Sequence, residues 1–146
     1  MAEDDETKGI SAVMILEVIG KPPEHLNNTL NDLVGQIDKE EGVSVTNKKI
    51  NEPTLMKDSK EFYTNFAEIE VEVDEMFQLA TLMFKYMPAH IEIISPEVIA
   101  LTNHGWNEIL NELVRRLHGY DEVARVMQNE KAVLEKKLRE VSGNNK

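Results

Sequence analysis

The sequence predicts an α+β fold, and three observations carry the prediction. Residues 62–73 give the clearest period-two signal in the chain, residues 10–19 are apolar on both sides of the same period, and residues 26–37 and 76–87 repeat apolar side chains every three and four positions. Strands and helices therefore interleave along the first two thirds of the chain.

The opening "MAEDDETKG" clusters four carboxylates and reads as a solvated, disordered tail, residues 1–9. Ile10, Ala12, Met14, Leu16 and Val18 then point one way, while Val13, Ile15 and Ile19 point the other with Glu17. A strand apolar on both faces is usually covered on both. Gly20 breaks it, and Pro22-Pro23 suits the first turn of a helix, where a missing N–H costs nothing. Leu26, Leu30, Leu33, Val34 and Ile37 continue that helix to about Glu40.

"GVSVTNKKI" is a second strand, and residues 51–60, with Pro53, read as a long hairpin loop. In the third strand Tyr63, Ala67, Ile69, Val71 and Val73 share one face, and Phe62, Phe66, Glu68, Glu70 and Glu72 share the other. Asp74 is placed to cap a second helix carrying Met76, Leu79, Ala80, Met83, Phe84 and Met87, which Pro88 ends. "HIEII" is a fourth strand, and Ser95-Pro96-Glu97 can cap a further helical turn.

The resulting order, βαββαβ over residues 10–95, is that of a ferredoxin-like antiparallel sheet with two helices on one face. Right-handed crossovers put its first and third strands in the centre, and these are the two most apolar. The opposite face would then expose Val13, Ile15, Ile19, Phe62, Phe66 and Ile94, a larger patch than a soluble monomer usually leaves bare.

Residues 96–141 form a C-terminal helical extension, followed by a disordered tail at 142–146. One helix runs from Trp106 to His118 behind an Asn103 or Thr102 cap, with Gly119 as its stop. Asp121 opens another, to about Val141, in which Met127, Leu134, Leu138 and Val141 fall close to a heptad seam interrupted by Lys131. Trp106, Leu134 and Leu138 join the open sheet face as candidate interface residues.

Composition removes several classes of function. With 27 acidic and 16 basic side chains, a net charge of −11, the mean field repels nucleic acid and anionic membranes. The absence of cysteine removes disulfides, thiolate nucleophiles and cysteine-ligated metals, and fits a cytoplasmic protein. "ISAVMILEVIG", interrupted by Glu17, reads as a strand and not as a signal peptide or a membrane span.

Glu68, Glu70 and Glu72 project from one strand face about 7 Å apart, with Glu92 on a neighbouring strand. Hard cations take such oxygens, but only where ligands converge from several elements. The four histidines are scattered, and no nucleophile elbow or phosphate-binding glycine loop occurs. Arg115, Arg116, His118 and Arg125 read either as an anion patch or, with Glu112 three and four residues before two of them, as local ion pairs. No catalytic residue and no cofactor is expected.

"LEVIGKPPEHLNNTLNDL" followed by "GVSV" resembles the opening of an ACT-type regulatory domain, from residue 12 to about 95. That resemblance implies side-by-side dimers and a small ligand near Gly20, Lys21 and Pro22. Such domains usually carry Asp-x-Pro-Gly at this turn, where this chain has Gly20-Lys21-Pro22-Pro23. The sequence as a whole predicts a self-associating interaction or ligand-responsive module, homodimeric, without nucleic-acid or membrane partners. A metal-assisted enzyme on the glutamate face is one alternative, and a nucleic-acid-binding module with Phe62, Tyr63 and Phe66 as a stacking platform, disfavoured by the charge, is the other.

Overall fold

The computed structural model describes residues 6–144, as an α+β chain with an antiparallel sheet. Two compact units are present, Met1–Ile109 and Leu110–Lys146. The first contains β1 (Ile10–Gly20), α1 (Pro23–Asp38), β2 (Val43–Ile50), β3 (Thr54–Leu55), β4 (Tyr63–Val73), α2 (Met76–Tyr86) and β5 (His90–Ser95). The last helix, α3 (Asn103–Asn144), begins in the first unit and makes up the second.

The sheet order is β2-β4-β1-β5, all neighbours antiparallel, with β3 pairing the end of β4. Its centre is the pair β1 and β4, the two strands richest in apolar side chains. Eleven consecutive residue pairs join them, from Ile10 opposite Val73 to Gly20 opposite Tyr63. That register brings Ile10, Ala12, Met14 and Leu16 beside Ala67, Ile69, Val71 and Val73, all buried on one face. Leu26, Leu30, Val34 and Ile37 of α1, with Leu79 and Leu82 of α2, complete the burial.

Local chemistry explains most element ends. Pro23 occupies the first turn of α1, where it forfeits no hydrogen bond. Gly42 holds φ +73° in the turn into β2, and a Cβ there would stand 3.0 Å from Asp74 Oδ2. The cap of α2 is one residue later than predicted. Glu75 is the N-cap, its backbone N–H donating to Gln78 Oε1 at 2.8 Å, while Asp74 N–H donates to the Gly42 carbonyl.

Asn65 is the one buried polar side chain among the described residues. Its amide donates to Asn27 Oδ1 at 2.7 Å, and its own oxygen accepts from Phe66 N–H at 2.8 Å, fastening the start of α1 to β4. Near the other end of α1, Glu40 Oε1 accepts from both Lys85 Nζ and Tyr86 Oη at 2.6 Å. These bonds hold the Glu40 carboxyl below its usual range, Lys85 contributing most. Burial, followed by the Glu40 contact, pushes the Tyr86 hydroxyl up to about 12.

Several expectations are corrected. Residues 1–5 of the predicted tail lie outside the described residues, but 6–9 are fixed in place. Thr7 and Ala100 exchange hydrogen bonds, and Glu6 accepts from Thr102 Oγ1 at 2.5 Å, which lowers its pKa. The predicted loop at 51–60 contains β3, paired with β4. No helical turn follows Ser95-Pro96-Glu97, whose X-Pro bond is cis. The two C-terminal helices are one helix of 42 residues with no break at Gly119, and it runs through Asn144 into the predicted tail.

Candidate interaction surface

Two faces among the described residues carry large apolar side chains that are exposed or half-exposed. The first is the sheet face opposite α1 and α2. Register assembles it in rows: Lys49, Glu68, Ile15 and His90 across β2, β4, β1 and β5, then Asn47, Glu70, Val13 and Glu92. Val13, between Glu70 and Glu92, and Ile15, between Glu68 and His90, are half-buried, whereas Phe66 and Ile19 are exposed towards the far end of the β1–β4 pair. Ile94 is exposed at the irregularity where β5 shifts its pairing.

Phe62 falls just before β4, where its ring lies 5.3 Å from Lys21 Nζ. The same ammonium donates to Glu61 at 3.1 Å, so Lys21 is committed to its own chain beside Gly20 and Pro22. Tyr63 is on the helix-covered side of the register, so it does not share a face with Phe62 and Phe66. Glu68, Glu70 and Glu72 stand in line along β4, with Glu92 across β1 from them. Among the described residues no three His, Asp or Glu side chains form a group able to hold a metal ion.

The second face lies on α3. From Leu110 onward its apolar residues repeat in alternating steps of three and four. Leu110, Leu117, Ala124 and Leu138 fall at heptad position a, and Leu113, Tyr120, Met127, Leu134 and Val141 at position d. Lys131 is the one polar residue in the series. This seam spans five heptads and runs straight past Gly119, which points away from it at position c. Leu117, Met127, Leu134 and Leu138 are 55%, 63%, 65% and 67% exposed. Trp106, in the first turns of the helix, is half exposed as well.

Several polar residues at and along α3 pair locally. Thr102 caps the helix, its Oγ1 accepting from Gly105 N–H at 3.1 Å. His104, next to the cap, lies 3.2 Å from Glu108 Oε1 one turn on. Glu112 accepts from Arg115 and Arg116, which lowers its pKa, the Arg115 bonds leading. Arg125 pairs with Asp121 at 3.1 Å. The arginine cluster is thus a set of intrahelical ion pairs. Residues 110–146 hold eight basic and six acidic side chains, so the net negative charge of the chain resides in the first 109.

A model of the MJ0538 family matches residues 11–142. The chain belongs to the MJ0538 family. No curated protein and no solved structure matches it. The family match runs from β1 to the last heptad of α3, so sheet and helix are parts of one family pattern. No helix among the described residues is long and apolar enough to cross a membrane.

Proposed function

We propose that this MJ0538-family chain is a self-associating module, whose work is to bring copies of itself together through α3. The observation that carries this reading is the five-heptad seam, exposed at every apolar position but the half-buried Leu113. A helix whose apolar stripe faces water is stabilised by burying that stripe against another helix. The proposal favours α3 over the sheet face on electrostatic grounds. Two sheet faces brought together would oppose rows of glutamates, whereas the helix carries near-balanced charge.

The strand order β2-β4-β1-β5, with the two-residue β3 set aside, supports a ferredoxin-like classification within the same proposal. The ACT-type reading rests on that order alone. The engagement of Lys21 with Glu61 and Phe62 argues against a free ligand contact at this turn.

The test is the mass of the intact chain in solution beside that of Leu134→Glu/Leu138→Glu, which places two charges in the seam. The expected result is an oligomer for the native chain and a single-chain mass for the variant, with the sheet unit still folded by circular dichroism. Equal masses for both would remove α3 as the means of association.

A further inference from the structure

Resting on the self-association reading, we infer that the partner of α3 is a second copy of the same chain, parallel and in register, aligned by a polar layer at Lys131. In a parallel pair each a-position side chain enters a hole made by four residues of the facing helix. For Lys131 that hole is Met127, Glu130, Lys131 and Leu134 of the other copy. For Leu134 it is Lys131, Leu134, Glu135 and Leu138. Together these six residues line an open, largely apolar depression already present on the single helix.

Charge fixes the alignment. Glu130 at position g and Glu135 at position e flank the seam beside Lys131, and Glu135 already lies 3.9 Å from the Lys131 ammonium of its own chain. In register, the two lysines of the pair share one layer with four carboxylates. Arg116 at g then also faces Asp121 at e of the other copy. Sliding one helix by a heptad sets Lys131 against Ala124 or Leu138, in two layers instead of one. Reversing one helix sets each lysine against a d-position residue such as Leu113 or Tyr120. Both alternatives set an ammonium against apolar side chains with only its own chain's Glu130 and Glu135 beside it and not those of the other copy, the kind of penalty by which a single polar a residue selects register.

The absence of cysteine makes the test direct. Val141→Cys and Leu134→Cys are made singly in the full chain, mixed, equilibrated in a glutathione redox buffer and separated without reductant. Val98→Cys, at an exposed position far from the seam in sequence, measures random cross-linking. A disulfide needs Cα atoms about 4.4–6.8 Å apart, which a parallel in-register pair offers between identical seam positions. The expected result is homodisulfides at 134 and at 141, each about tenfold over the Val98→Cys background and over the mixed 134–141 species. Lys131→Leu should raise the mixed species by relaxing the register. An oligomer that fails to cross-link at 141, or that yields the mixed species in equal amount, overturns the parallel in-register pairing while self-association stands. A single-chain mass for the reduced protein overturns self-association itself.

Discussion

The two units use the same apolar patterning to opposite ends. In the sheet unit Ile10, Met14, Leu30 and Ile69 are at most 1% exposed, because strands β1 and β4 and helix α1 each supply the cover the others need. In the helical unit Leu134 and Leu138, equally well spaced, are about two thirds exposed. Periodicity specifies which face of an element is apolar, and only the rest of the chain decides whether that face is filled from within. Where it is not, the proposed self-association would supply the burial, and stability there would then depend on concentration.

That contrast can be broken at either unit. The largest expected effect is in the sheet unit: Leu30→Ala should lower unfolding stability by about 2–5 kcal/mol without altering solution mass, as read by denaturant titration. A change in mass would show that the two units are not energetically separate. Next comes Asn65→Ala, which removes the donor to Asn27 Oδ1 and the acceptor for Phe66 N–H beside β4, at a cost of about 1–3 kcal/mol in the same assay.

Smaller effects follow from the contact that joins the end of α2 to Glu40. Tyr86→Phe should cost about 1 kcal/mol at neutral pH. The pH dependence has a defined sign. Tyr86 is raised in the folded protein, so its contribution is complete below the ordinary tyrosine pKa and is lost as pH climbs from about 10 to about 12. Glu40 is lowered, so its contribution is present above the ordinary carboxylate range and is lost as acid titrates the folded group. Ultraviolet titration of the phenols should show an ionisation near pH 12 that Tyr86→Phe removes. The smallest effect is Glu112→Gln, expected to reduce helix stability by a few tenths of a kcal/mol, since its ion pairs with Arg115 and Arg116 are partly solvated. Circular dichroism at low and high salt would detect it, and no salt dependence in the native chain would argue that those pairs contribute nothing.

Long, strongly periodic elements were legible in the sequence. The alternation of β4 announced its buried face at Ala67, Ile69, Val71 and Val73 though not at Asn65, and the central placement of β1 and β4 followed from right-handed crossovers, in agreement with their apolar content. The length of α3 was not legible, because Gly119 and Asp121 are residues that ordinarily stop and start helices. A glycine in the interior of a helix costs only about 1 kcal/mol, which 42 continuous residues absorb. The signal that outweighed it was the spacing Leu117, Tyr120, Ala124, which keeps the three-four rhythm through the supposed break. Glu6 and Thr7 were misread for a different reason. Their partners, Thr102 and Ala100, lie more than ninety positions away, and no local pattern encodes such a contact.

The central claim is that the seam of α3 is covered by another copy of this chain. Sedimentation equilibrium of the intact protein at micromolar concentration tests it most directly. A mass of twice 16.7 kDa, falling towards 16.7 kDa on dilution, is the predicted result. A mass of 16.7 kDa at every concentration, with α3 still fully helical, would contradict it.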